Sequence, residues 1–175
     1  NHLLVNMCSG GNAFYPSKIL PGYTGLAKRG DMLKQCLEAC RKYHIKVHVW
    51  RTCLRMDKDT SLKFRKQMMD AGRVQIAGNG KVLRGLCPSH PLNQRMEIDS
   101  MLELVRNYPD LAGIQFDYIR YSAPDSCFCA GCRERFEKYA GQKMEKWPDD
   151  FSRMPELNSK WLQFRRDNIT KIVRE

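Results

Sequence analysis

The chain has 175 residues, enough for one domain or two small ones, and its hydrophobic content of 42% supplies a sizeable packed core. Intrinsic disorder is therefore excluded as the main state, and no apolar run reaches the roughly 18 residues that a membrane span needs. The formal net charge is +11 and would suit a polyanionic partner. Because the basic residues are spread along the whole chain, nucleic-acid binding is kept as an alternative and not as the first reading.

The first part of the chain alternates predicted strands and helices. Residues 3–7 form a short apolar run before a glycine pair, which indicates a buried strand followed by a loop. Over residues 31–43 the apolar positions recur at i, i+3, i+4 and i+7, and Asp31 is placed to cap the helix that this spacing predicts. Residues 45–50 alternate apolar and polar side chains, which predicts a second strand.

The remainder of the chain continues this alternation. Asp59 or Thr60 is expected to cap a helix that Gly72 stops, and Pro109 is expected to end a longer one. The predicted elements are a helix over 61–71, a hairpin over 73–86, a helix over 93–108, a strand over 113–119, and helices over 131–140 and from 158 onward. Strands that alternate with helices in this way predict an α/β protein with a parallel sheet.

The eight cysteines have a spacing that favours a metal site over a disulfide framework. Cys36 and Cys40 are about one turn apart in a predicted helix, where a mutual bridge has poor geometry. Cys127, Cys129 and Cys132 fall within six residues, and thiolates presented together by a turn and the start of a helix converge readily on Zn²⁺.

A fourth ligand would complete the tetrahedron. We prefer Cys87, because the hairpin returns there to the helix that feeds the 113–119 strand, and His90 is the second choice. Four cysteine ligands leave no open coordination position, so the predicted zinc is structural. Cysteines without a metal, either reduced or in disulfides, remain the alternative.

Asp117 is the candidate catalytic residue. It lies at the end of the predicted strand over 113–119, and buried parallel strands present functional groups at their carboxyl ends. Tyr118, Arg120 and Tyr121 crowd the same strand end and offer hydrogen bonds and ring stacking to a sugar. The alternative is that Asp117 caps the strand or pairs with Arg120.

Three further residues are candidates for substrate binding. Trp50 and Arg51 end the preceding strand, where they are expected to form the next wall of the site. The alternatives are packing for Trp50 and solvent exposure for Arg51. His90, on a loop between two prolines, is expected either to contact substrate or to be an ordinary surface histidine.

Four segments together resemble the bacterial glycosyl-hydrolase-like family 10 proteins, a TIM-barrel group distinct from the family 10 xylanases. They are GGNAFYPSK at 10–18, YHIKVHVW at 43–50, LCPSHP at 86–91 and AGIQFDYIRY at 112–121. The resemblance implies that the strands at 3–7, 47–50 and 114–118 are the second to fourth of a (β/α)₈ barrel. Residues 1–175 would then be one incomplete barrel domain, with Asp117 at its active-site face.

The cysteines carry a second resemblance. Cys87 followed by Cys127, Cys129 and Cys132 is similar to the structural zinc cluster of family 42 β-galactosidases, which supports Cys87 as the fourth ligand. The resemblance does not extend to β-galactosidase activity, because an Asn-Glu pair ends the fourth strand in that clan and Phe116-Asp117 stands in its place here.

The resemblance to the hydrolase-like family implies a glycoside hydrolase that acts on a polysaccharide. Such hydrolysis ordinarily uses two carboxyl groups, and the partner of Asp117 is expected from a later barrel strand in a longer parent chain, without which this chain would be inactive. Families of this kind are often exported, which favours a secreted or periplasmic protein. The alternatives are a carbohydrate-binding relative that has lost hydrolysis, and a basic zinc module that binds nucleic acid.

Overall fold

The structure is a computed structural model that describes the backbone of residues 1–175 and all side chains except that of residue 152. The elements are β1 (His2–Ser9), β2 (Asn12–Ala13), α1 (Leu26–Arg29), α2 (Met32–Arg41), β3 (Lys46–Thr52), α3 (Leu62–Asp70), β4 (Val74–Ile76), β5 (Val82–Leu86), α4 (Pro91–Asn107), β6 (Gly113–Asp117), α5 (Ala130–Ala140), α6 (Asp150–Arg153) and α7 (Pro155–Arg174). No helix in this description is both long and apolar enough to cross a membrane.

The central sheet has the strand order β2-β1-β3-β6. Strand β3 pairs in parallel with β1 on one side and with β6 on the other, while the short β2 pairs antiparallel at the edge. Helix α2 connects β1 to β3, and α3, a hairpin and α4 connect β3 to β6. Parallel strands joined through helices confirm the predicted α/β class.

The two faces of β3 have different surroundings because side chains alternate along a strand. Val47 and Val49 are buried on the helix side, where Val49 belongs to a core cluster with Leu33 of α2 and Leu104 of α4. Trp50 lies on the opposite face, which is half-exposed. The sheet therefore presents one face to the helices and leaves the other accessible.

The hairpin of β4 and β5 is fastened to the loop after β6. The side chain of Gln75 donates to the carbonyl oxygen of Leu86 and accepts from the Ser122 backbone and the Ser126 hydroxyl. Gly85 leaves room for this contact, because a Cβ there would overlap the side chains of both Ser122 and Gln75. This contact brings the end of the hairpin close to the cysteine loop.

The cap of α3 differs from the prediction. Ser61 caps this helix, and neither Asp59 nor Thr60 does. The Thr60 hydroxyl instead donates to the Gly10 carbonyl and accepts from the Asp57 backbone, so it is committed to the preceding turn. The hairpin and the longer helices and strands were predicted within a few residues, whereas the short β2, α1 and α6 were not predicted.

Candidate active site and cysteine cluster

Asp117 ends β6 on the accessible face of the sheet and is held by the neighbouring strand. One carboxylate oxygen accepts from Nε1 of Trp50 at 2.9 Å, and the other accepts from its neighbour, the Tyr118 backbone, at 2.8 Å. The Asp117 carbonyl accepts from the Cys53 backbone at 2.7 Å, next to its register partner Thr52. Two adjacent strand ends therefore fix this carboxylate beside a half-exposed indole ring.

Tyr118 follows with a left-handed backbone, at a φ of 55°. A residue other than glycine adopts this conformation at a cost of about 1 to 3 kcal/mol, and such residues cluster at functional sites. The turn leaves the Tyr118 side chain 38% exposed. The guanidinium carbon of Arg120 lies 4.9 Å from the centre of its ring, so these two predicted binding residues do lie together next to Asp117.

Arg51 occupies a different place from the one expected. Its side chain is 1% exposed and points to the helix side of the sheet, where it pairs with Glu97 of α4 at 2.6 Å. It also donates to the Ser100 hydroxyl and to the Thr52 carbonyl, while the Leu54 backbone donates to Glu97. Arg51 therefore stabilises the end of β3 from the helix side of the sheet. It does not line the accessible face, where it was expected.

Burial is the largest single influence on the pKa of Arg51 and lowers it, but the Glu97 carboxylate, together with the nearby Cys8, Cys53 and Tyr15, outweighs burial and raises the pKa above its usual value. The guanidinium is thus a permanent buried cation. Its pairing partner, Glu97, was missed from the sequence because helical periodicity was followed through apolar residues alone. Polar positions of α4 share that buried face; they are Asn93, Gln94, Glu97 and Ser100.

Tyr121 and His90 also have structural partners, and no hydrogen bond joins either of them to Asp117. Tyr121 is 7% exposed, and Arg165 stacks over its ring at 4.5 Å. Burial raises the pKa of the Tyr121 phenol. His90 is the N-cap of α4, where its Nδ1 accepts from the Leu92 backbone at 3.2 Å.

The four predicted cysteine ligands form one buried cluster. The Sγ atoms of Cys87, Cys127, Cys129 and Cys132 all lie within 4.8 Å of one another. The Cys87 sulfur lies 3.3 Å from that of Cys132 and 3.9 Å from that of Cys129. A tetrahedral zinc with Zn–S bonds of about 2.3 Å would separate its sulfur ligands by about 3.8 Å, so the spacing fits this ion.

Two elements deliver these thiols. Cys87 directly follows β5, while Cys129 is the N-cap residue of α5 and Cys132 lies in its first turn. A helix start favours negatively charged sulfur. Hydrogen bonds from the three neighbouring thiols lower the pKa of Cys87 well below its usual value.

Ser89 and Arg135 surround the cluster with donors. The Ser89 hydroxyl lies 3.3 Å from the sulfur of Cys87 and 3.1 Å from that of Cys132, and Nε of Arg135 donates to it. On another side, the Ile76 backbone donates to the Cys127 sulfur at 3.3 Å. Outer hydrogen bonds of this kind orient the ligands of metal sites.

Buried aromatic side chains pack against the cysteine cluster and shield it from water. Phe136 of α5 is fully buried, and its ring centre lies 5.1 Å from that of Trp161 and 5.6 Å from that of Phe164, both on α7. Since a catalytic metal needs an open position for water, this setting suits a structural ion.

The chain matches, over residues 1–175, the model of the family described as glycosyl hydrolase-like 10. No curated protein matches it. Among solved structures, a β-galactosidase from Rahnella sp. R3 is similar, with a TM-score of 0.56 and 17% sequence identity. The match covers 80% of this chain and 19% of that one, so the chain spans about a fifth of the length of this neighbour. At this identity the likeness shows the fold alone, which is consistent with part of a TIM-barrel-like α/β domain.

Proposed function

We propose that this chain, which belongs to the glycosyl hydrolase-like 10 family, is the part of a glycoside hydrolase that carries one catalytic carboxyl group, Asp117. The observation behind the proposal is the position of this carboxylate. It ends a central parallel strand on the accessible face and is fixed by Trp50 and by the Tyr118 backbone. TIM-barrel enzymes place their catalytic groups at the carboxyl ends of the strands.

The surroundings of Asp117 suit a bound sugar. A carboxylate offers about four acceptor positions, and two are occupied here by N–H donors, which leaves others for sugar hydroxyl groups. The half-exposed indole of Trp50 offers a flat apolar surface beside it, and aromatic rings of this kind stack on the apolar faces of sugars.

Hydrolysis needs a second carboxyl group, about 5 to 10 Å from the first. We place that partner outside these residues, in the larger protein that the length of the β-galactosidase neighbour suggests. Within it, residues 1–175 would act as one domain segment, a partial barrel, and not as two small domains. The substrate is a carbohydrate, as the family name suggests.

The cysteine cluster is proposed to hold one structural Zn²⁺. Four thiolates would complete its coordination, so the ion would join the end of the hairpin to the start of α5 and take no part in hydrolysis. Its contribution would be to keep the loop that follows Asp117 in place.

The test uses the parent protein that contains these residues, with release of reducing ends from a panel of polysaccharides as the assay. Asp117→Asn is expected to lower the turnover rate at least about 10³-fold while glycan binding persists, because the amide keeps the shape and loses the acid or nucleophile. The matched control is Asp70→Asn, an exposed acid paired with Lys66 on α3, which should leave turnover unchanged. Full activity of the Asp117→Asn protein would contradict the proposal.

A second candidate function is carbohydrate binding without hydrolysis. It is favoured by one observation: two N–H donors, from the Trp50 indole and the Tyr118 backbone, hold the Asp117 carboxylate in place beside an exposed ring, as a sugar-binding site would require. In that case the parent protein with Asp117 intact would bind glycans and release no reducing ends.

A further inference from the structure

Two guanidinium groups lie over the ring that follows Asp117. The guanidinium carbon of Arg55 is 4.3 Å from the centre of the Tyr118 ring, and that of Arg120 is 4.9 Å away. Cation–π contacts hold such groups in place while their N–H donors stay available to a ligand. Tyr118 holds this ring on a backbone of left-handed conformation.

These residues line a small cavity of about 120 Å³, together with Arg84 and the Ser122 side of the loop after β6. Within the described part of the chain, no carboxylate lines this cavity. Among the described residues, Arg55, Arg84 and Arg120 make no ion pair and no side-chain hydrogen bond. At about 30 Å³ per water molecule, the volume suits a group the size of a carboxylate or a sulfate and is too small for a whole sugar ring.

A larger groove of about 640 Å³ continues from this cavity, with Arg120 and Ser122 in both. Arg165 and Arg166 of α7 also line it, and again no carboxylate does. The basic lining is therefore continuous over a length that would accommodate more of a polymer than one anionic group.

The absence of acids here is a local property and not a consequence of the net charge of +11. A groove of about 570 Å³ elsewhere is lined by Asp31, Glu38 and Asp110 among its basic residues. Another, of about 500 Å³ between Gln142 and the start of α7, includes Glu156. Basic residues thus occur together with acids in these other grooves, but without acids in the cavity and groove that share Arg120 and Ser122.

We infer that the glycan bound by this site is anionic, and that its carboxylate or sulfate group binds Arg55, Arg84 and Arg120. Arginine is suited to this task because its planar guanidinium donates paired hydrogen bonds to such groups. The inference rests on the proposed function, since Tyr118 directly follows Asp117 and a sugar at that carboxylate would place its substituent or its neighbour in the cavity.

The experiment measures binding to this chain by calorimetry, with polygalacturonate and its fully methyl-esterified form as probes. The two share one backbone and differ in whether each carboxyl group is a charged carboxylate or a neutral methyl ester. Chondroitin sulfate and desulfated chondroitin test a sulfate in the same way. The variants are Arg55→Gln/Arg120→Gln and, as a control with the same change in net charge, Arg29→Gln/Arg106→Gln, which alters arginines outside both cavities.

We expect a free-acid or sulfated probe to bind at least about tenfold more tightly than its uncharged or desulfated counterpart, with weaker binding at higher salt. The Arg55→Gln/Arg120→Gln variant should lose this preference, and the control variant should keep it. Which pair shows the preference identifies carboxylate or sulfate as the group recognised.

Equal binding within both pairs would overturn the inference, and so would an equal loss in the control variant, which would indicate attraction by net charge alone. Neither result bears on hydrolysis. A parent protein that cleaves a neutral glycan through Asp117, and shows no preference for anionic probes, would keep the proposed function and remove the anionic substrate.

Discussion

At the scale of single residues, the site depends on the strict alternation of side chains along β3. Trp50 and Arg51 are neighbours in the chain and were both expected to line the site, but adjacent strand residues point to opposite faces. Trp50 therefore reaches Asp117 on the accessible face, while Arg51 reaches Glu97 on the helix side. The alternating pattern that predicted β3 already implied that only one of these two residues could line the site.

The buried pair of Arg51 and Glu97 supplies a stability prediction. Glu97→Gln should lower the free energy of unfolding by about 3 to 5 kcal/mol, because it leaves a buried guanidinium without a countercharge. The pair replacement Arg51→Met/Glu97→Leu should recover much of the loss, since a buried ion pair is costly to desolvate. Urea denaturation measures both.

The control for this prediction is Asp70→Asn, which breaks the exposed pair with Lys66 and should cost less than about 1 kcal/mol. A Glu97→Gln protein no less stable than this control would show that the buried pair does not hold the end of β3.

At the scale of elements, the sequence predicted what periodicity and cysteine spacing encode. The strands, the hairpin and the long helices repeat their patterns over enough residues to be recognised, whereas α1 and α6 have four residues each and cannot show a helical period. The grouping of Cys87 with the later cysteines is confirmed by the structure. Arg55 was not predicted as part of the site, because its approach to Tyr118 depends on tertiary packing between two loops.

A second prediction concerns the metal ion proposed to link the end of the β4–β5 hairpin to the start of α5. Elemental mass spectrometry of protein purified without added metal should find one zinc per chain, lost in Cys87→Ser and in Cys129→Ser. The matched control is Cys36→Ser, a partly exposed cysteine of α2 outside the cluster, which should retain the metal. Chelation should lower the Tm of the original protein and leave that of Cys87→Ser unchanged, because a metal that binds the folded state stabilises it.

A wild-type protein free of zinc would contradict the metal proposal and leave a cluster of thiols. A Cys36→Ser protein that also loses its metal would indicate that the ion depends on the general fold and not on the four clustered sulfurs.

At the scale of the whole molecule, three parallel strands, a zinc-sized cysteine cluster and an acid-free basic groove meet around the end of β6. The sheet fixes Asp117, and the hairpin and the cysteine loop fix the residues that follow it. Under the proposed function, the basic lining of the cavity beside Tyr118 would give part of the net positive charge a role in substrate binding.

The central claim is that a glycan binds where Trp50 donates to Asp117, and the indole N–H signals of the chain test it most directly. The chain has three tryptophans. The Trp147 and Trp161 rings lie in the aromatic core, and their indole signals serve as internal controls. In two-dimensional ¹H–¹⁵N spectra recorded with a panel of neutral and uronic oligosaccharides, we predict that a bound sugar shifts the Trp50 indole signal and leaves the other two in place. Binding that moves the signal of Trp147 or Trp161 while that of Trp50 stays unchanged would contradict the claim.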